Sequence, residues 1–363
     1  MVRPYQLSWA GLTLLLSGSL ASAAEITKIP DPMELQVGLG YAGSNERGGL
    51  QEAGLRIADR RISRHDLTLS AEASFFTGVS FGLALGITPS LRFAYPTARP
   101  MIIEPLDGSG SYLTGEPGTG STLLQAGGLT GLWLSTAVAP FSESYARNQR
   151  ASWRLELGVR TSSPHHNLWT APGGRRGAAP GGSALRLAGA FSTERGAAAP
   201  WIQGVWNKEN RVKVDIVDES GITWAEDLQL APASTFDLLS GVEIQLATVP
   251  SSDTHLALEP WLGTQYRSWE DIASGVYLPN VLDGARTIPV TSGDSLALRA
   301  GLALKIATED AFWARLGMDI RYGTPFRPEH IYPVRTTADT WRLGWSIQLD
   351  GLAQLASPGA PGR

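Results

Sequence analysis

Two short stretches have spacings known for chemistry. GLGYAG at 38–43 fits GxGxxG, a turn that cradles a dinucleotide. That chemistry needs a helix opening at the last glycine, its N-terminus facing the pyrophosphate. SNERGG follows instead and predicts a loop, so Gly38 and Gly40 read as small residues on one face of a strand. GVSFG at 78–82 fits the GxSxG of a nucleophile elbow, which sets its serine on a sharp strand-to-helix turn. After Ser80 the chain continues as LALGIT, an alternating strand, so Ser80 reads as a turn or strand-end residue. The five histidines are His65, His165, His166, His255 and His330. Only His65 beside Asp66 and the pair His165–His166 cluster, and no serine is marked out to partner them. Adjacent side chains at 165 and 166 diverge, and no third metal ligand stands near them. The expectation is a protein with no catalytic residue, no metal and no cofactor.

The chemistry that remains is charge, and its placement depends on the elements that carry it. In WRLGWSIQLD (341–350), Trp341, Leu343, Trp345, Ile347 and Leu349 alternate with Arg342, Gly344, Ser346, Gln348 and Asp350. A period of two gives a strand one apolar and one polar face. The pattern recurs along the chain, from Met33, Leu35, Val37, Leu39 and Tyr41 to Phe312, Leu316, Met318, Ile320 and Tyr322. It predicts about twelve strands of roughly 9–15 residues, where a globular strand has about 5–6 and a tilted strand crossing a bilayer about 9–11. Segments 121–139 and 200–208 are strand-like, with ambiguous parity.

Composition narrows the class. The chain has 363 residues, no Cys and 41 Gly, so disulfides and thiolate sites are excluded. A formal charge of −4 gives no case for nucleic acid as a partner. Mean hydropathy near zero fits neither a helical membrane protein nor a disordered one. Arg3, the apolar run AGLTLLLSGSL (10–20) and ASA (21–23) have the order of a signal peptide cleaved after Ala23. Its removal takes away Arg3 and leaves a mature charge of −5.

The connections alternate in length. Segments 44–63, 97–120, 163–182, 209–233, 270–293 and 324–338 are long and rich in Gly, Pro and charge, and the links between them are mostly shorter. Long loops on one side and short turns on the other are expected of an outer-membrane barrel, with both termini on the periplasmic side. Aromatic residues fall toward both strand ends: Phe75, Phe81, Trp153, Phe191, Trp201 and Phe312 at one, Tyr41, Phe93, Tyr95, Tyr266, Tyr322 and Trp341 at the other. Two girdles at the headgroup levels account for both sets. The competing soluble β-sandwich has shorter strands and a turn every ~8–12 residues. Pro89 and Pro260 interrupt strand patterns and point to bulges, or else to strand boundaries that fall elsewhere.

Together these features resemble the Gram-negative outer-membrane β-barrel class, and RLGWSIQL (342–349) resembles its C-terminal assembly signal. Such barrels commonly end on an aromatic residue, whereas this chain continues through AQLASPGAPGR (353–363). The expected fold is all-β: a single transmembrane antiparallel β-barrel of about twelve strands, with long extracellular loops and short periplasmic turns. The expected organisation is a signal peptide at 1–23, the barrel at 24–352 and a flexible tail at 353–363. The resemblance implies outer-membrane lipid and the barrel-assembly machinery as partners, with other envelope proteins as further candidates. Oligomeric state stays open.

Strand parity puts ten cations and nine carboxylates on the inner face. The expected pore-lining set is Arg154, Glu156, Arg160, Arg186, Glu259, Arg267, Arg299, Lys305, Arg315, Asp319, Arg321 and Arg342. The first and third strands face inward with Gly, Ala and Ser, which leaves space. In one reading the arginines tune a water-filled channel for small hydrophilic solutes or ions. In another, opposite charges pair across strands, as Glu156–Arg186 and Asp319–Arg342 can, and fill the barrel. A third reading is a structural barrel in an envelope machine for secretion, polysaccharide export or gliding motility. A rim hydrolase comes last.

Overall fold

Each strand with one apolar and one small or charged face must bury the second away from lipid, and closing the sheet on itself does so without leaving an edge. The structure, a computed structural model, describes residues 27–52, 55–95, 101–103, 112–114, 122–141, 151–161, 167–171, 182–193, 195–217, 223–230, 232–249, 254–268, 270–272, 290–292, 294–308, 312–325, 335–337 and 339–355. The expected signal peptide, 1–23, and residues 356–363 of the expected tail lie outside them.

Twelve long strands form the wall: β1 (Glu34–Glu52), β2 (Leu55–Phe76), β3 (Val79–Tyr95), β4 (Thr122–Val138), β5 (Ala151–Arg160) and β6 (Ala184–Thr193). The second half is β7 (Ala198–Glu209), β8 (Thr235–Val249), β9 (Thr254–Arg267), β10 (Ser295–Thr308), β11 (Phe312–Pro325) and β12 (Thr340–Gln354). Each pairs antiparallel with its neighbour in sequence. β12 pairs with β1 from Glu34↔Gln354 to Arg47↔Trp341 and closes the barrel. The start of β1 and the end of β12 meet at one mouth, where the Leu355 N–H donates to the Met33 carbonyl at 2.8 Å.

Directly opposed residues, traced once round from Glu34 through Ser74, Glu156, Asp237 and Thr340, return to β1 beside Gly48, a stagger of about 14 residues. With strands ~4.8 Å apart and a rise of ~3.3 Å per residue, that gives a tilt of roughly 40° and a backbone radius of roughly 12 Å.

The outer face is an apolar belt. Val37, Leu69, Leu83, Leu157, Ile202, Leu262, Leu298, Met318 and Leu343 are all exposed, on strands all round the barrel. A belt that continuous suits hydrocarbon rather than water. Phe75, Phe81, Trp153 and Phe312 are exposed toward the short-turn mouth, and Tyr266 and Trp341 toward the other. Trp201 departs from the expected girdle. It is 5% exposed and points inward with Ala199, Leu239 and Trp261, because its parity is that of Gln203 and opposite to exposed Ile202. The ambiguous segment 121–139 turns Leu134 and Val138 outward, leaving Trp133 and Ser135 on the other face.

Two expectations about connections need correction. The segment 44–63 is not a loop: β1 runs to Glu52 and β2 starts at Leu55, so the hairpin continues the wall upward. Short strands at Asn167–Ala171, Val212–Val217, Val290–Ser292 and Arg335–Thr337 also join that extended sheet. Pro89 does sit at a bulge, where the β3–β4 register shifts between Thr88 and Leu91. Pro260 does not: it stays in register opposite Leu302, and on its other side the ladder to β8 has a gap at Glu259 and Pro260 without a shift of register.

Candidate functional site

Inside the wall, every second residue faces the lumen, and the charges fall into layers. Nearest the short-turn mouth, Arg154 Nη2 lies 3.1 Å from carboxylate oxygens of both Glu72 and Glu156. Arg186 Nε is 3.7 Å from Glu156. On the far wall Lys305 Nζ donates to Glu243 at 2.8 Å, and Arg315 Nε to Glu259 at 3.2 Å. In the middle layer Arg299 Nη1 donates to Asp237 at 2.7 Å, its Nη2 is 3.8 Å from Asp319, and its guanidinium lies 5.3 Å over the Trp261 ring. Pairing of this kind offsets the cost of removing charges from water only where hydrogen bonds accompany it, as they do at Arg154, Lys305, Arg315 and between Arg299 and Asp237. The Arg186–Glu156 and Arg299–Asp319 contacts are longer, and Arg186 Nε and Asp319 Oδ2 are buried without a hydrogen-bond partner among the described residues.

Toward the long-loop end the balance changes. Arg60 and Arg321 both reach Glu46, at 3.6 and 3.4 Å. Arg267 and Arg342 add their fields at the same carboxylate. Arg160 pairs with Glu209 and lies 5.4 Å over the Trp133 ring. Of the twelve sequence-predicted residues, Arg154, Glu156, Arg186, Glu259, Arg299, Lys305, Arg315 and Asp319 line one cavity of about 1030 Å³ inside the barrel. Arg160, Arg267, Arg321 and Arg342 sit outside that lining. Glu156–Arg186 forms as expected. Asp319–Arg342 does not: Asp319 stands opposite Gly344 and turns to Arg299. The opposite wall of the cavity is small, formed by Ser70, Gly82, Ala84 and Ser135.

Three parts of the site were not anticipated. The first is the segment before β1, which bends at Met33 (φ 67°), where its N–H bonds the Ser74 carbonyl at 2.7 Å. Lys28, Ile29, Pro30 and Asp31 line the cavity, and Arg154 Nη1 donates to the Lys28 carbonyl at 2.7 Å. Thr27 is fully buried against Ser192 of β6. The segment thus crosses the short-turn mouth from β1 to the far wall as a strap. The second is the indole wall of Trp201, Trp261 and Trp313, which also lines the cavity. Trp261 shares parity with inward Glu259, a signal the sequence carried. The third is Glu46 with Arg60, which appear once β1 and β2 are continued past the expected loop boundary.

The tempting motifs resolve plainly. Gly38 faces Asp350 and Ser70 inside the barrel. Ser80 is the second residue of β3 and donates its hydroxyl to Glu72. His65 Nδ1 shares a 2.7 Å hydrogen bond with the Tyr41 hydroxyl and sits edge-on to Trp345. His255 is held by Gln245 and Thr248. His165, His166 and His330 lie outside the described residues.

No known family profile matches the chain, and no curated protein matches its sequence. Solved structures do. An outer membrane channel from Pseudomonas putida F1 superposes with a TM-score of 0.52 over 92% of this chain and 100% of that one, at 9% identity. The transport unit of the autotransporter AIDA-I from Escherichia coli gives 0.42 at 8% identity over 94% and 96%. The translocator domain of the autotransporter NalP from Neisseria meningitidis gives 0.41 at 10% identity over 94% and 92%. The last two likenesses are too loose to argue from, and the first shows fold alone. With the closed twelve-strand wall and its apolar belt, it makes this chain an outer-membrane-type β-barrel.

Proposed function

We propose that the protein sits in a Gram-negative outer membrane and passes small hydrophilic solutes or ions passively, without catalysis. The observation that carries this reading is the cavity of about 1030 Å³ inside the wall, bounded by charged side chains on one side and small ones on the other. Charged lumen residues tune which ions pass, and the twelve residues from Arg154 to Arg342 are the proposed lining. Lipid and the assembly machinery are its proposed partners.

A second reading is a non-conducting barrel within an envelope machine. Its support is the pairing of most lower and middle charges and the strap over one mouth. Single-channel recording of folded protein in planar bilayers separates the two. Discrete open-channel steps with a weak anion preference are expected. A silent bilayer from protein that still shows heat-modifiable gel migration overturns the channel.

A further inference from the structure

We propose that Arg299, Arg321 and Arg342 form an oxyanion site that holds the phosphate or carboxylate group of a small solute inside the barrel. The proposal deepens the channel reading and rests on it for how the solute arrives.

Register is the first argument. Arg299 stands directly opposite Arg321, and Arg321 directly opposite Arg342. Like charges at directly opposed positions destabilise a sheet, and here the clash occurs twice in one row. An arrangement that costs the chain stability on its own is explained if the row receives a negative charge that is not part of the chain.

The chain's own carboxylates cover the ends of the row and not its length. Asp237 and Asp319 hold Arg299. Glu46 faces Arg342 across β12–β1, yet its oxygens go to Arg321 and Arg60. The Arg342 guanidinium makes no hydrogen bond or salt bridge among the described residues.

The third argument is burial without acceptors. Arg321 is 5% exposed and Arg60 6%, and the Nε atoms of Arg60, Arg321 and Arg342 are buried with no acceptor among the described residues. A guanidinium carries five N–H donors in a planar fork and no acceptor. Buried donors without acceptors cost stability, and two oxygens of one oxyanion fit the fork side-on. Chloride, a single atom, cannot fill it in the same way. Arg299, at one end of the row, lines the cavity and is the point of access to it; Arg321 and Arg342 lie beyond the cavity lining.

The test uses full-length folded protein in detergent, titrated with inorganic phosphate and then acetate at ionic strength matched with chloride. Thermal unfolding and tryptophan fluorescence read binding, because a ligand that binds only the folded state raises its midpoint. A saturable response to either anion is expected, weakened at least about tenfold in Arg342→Gln, as for loss of a charge-assisted hydrogen bond. Arg342→Lys should recover part of it. Arg195→Gln, on an exposed turn, should leave it unchanged. No saturable response in the wild type, or equal responses in wild type and Arg342→Gln, overturns the site. Should Arg342→Gln fail to fold, the wild-type titration and Arg342→Lys decide alone. Saturable binding with a silent bilayer keeps the site and removes the channel. Conductance without saturable binding does the reverse.

Discussion

Thr27 Oγ1 lies 2.8 Å from Ser192 Oγ, and both residues are sealed from solvent. One belongs to the strap before β1 and the other to β6, nearly half a circuit away, so the bond ties a free-running peptide across the barrel mouth. Arg154 reinforces it from β5 through the Lys28 carbonyl. A segment lying in the lumen takes up cross-section that a solute would use. Deleting residues 24–31 is therefore expected to raise single-channel conductance severalfold while leaving heat-modifiable migration intact. Equal conductance of the deleted and full proteins would show that the strap does not limit passage.

The strap also carries a titratable group. Partial desolvation, then the neighbouring Glu34 carboxylate, raise the exposed Asp31 carboxyl above its ordinary value, and Lys28 offsets part of this. A raised carboxyl pKa in the docked state means docking is opposed by the charged form. Docking then strengthens as pH falls through the raised value, in the window between neutrality and the ordinary aspartate range. Conductance is expected to drop on acidification through that window. Asp31→Asn should flatten the pH dependence and lower conductance at neutral pH. A pH profile identical in the variant removes Asp31 from this account.

How far the sequence foretold this molecule varies with the signal. Period-two alternation located the wall because lipid and lumen demand opposite chemistry at each step, and segments such as 341–350 show it without interruption. The ends of β1 and β2 were hidden because, above the belt, Asn45, Arg47 and Gly49 lose the apolar half of the pattern although the ladder continues. Trp201 went to the wrong side because a tryptophan near a strand end suits a headgroup as well as a packed lumen, and only its neighbours' parity separates the two. The strap was invisible: residues 27–31 have no period, and their place depends on contacts with Ser192 and Arg154, distant in sequence. The inward charges were legible one by one, but their partners were not. Asp319 faces Arg299 rather than Arg342 because side-chain reach, not strand adjacency alone, decides pairing.

Glycines on the two faces of the wall should respond unequally to substitution. A Cβ at Gly241 would stand 2.6 Å from Trp201 Cζ2 and 2.8 Å from the Pro260 carbonyl oxygen, whereas one at Gly204 meets nothing within 4 Å. The inward indole lies on the bare backbone of β8, which is why Trp201 can be buried there. Gly241→Val is expected to destabilise the barrel by roughly 1–3 kcal/mol through overpacking. Gly204→Val, facing outward, should change it little. The melting temperature of the compact gel species measures both. Equal effects would contradict the inward placement of Trp201.

Lys305 and Glu243 give a test of how the lumen charges are held. Lys305 is 5% exposed, and its ammonium donates to Glu243 at 2.8 Å. Removing one partner of a buried pair leaves a charge in a poor solvent, at a cost on the order of 3 kcal/mol, whereas replacing both by apolar groups is often neutral. Lys305→Met and Glu243→Leu should therefore each lower the unfolding midpoint of the refolded protein in denaturant, and the double variant should recover most of the loss. Additive losses in the double variant would mean that the two side chains are stabilised independently, by other neighbours. Recovery would show that the pair is a unit and that the lower lumen can exchange charge for apolar volume without losing the fold.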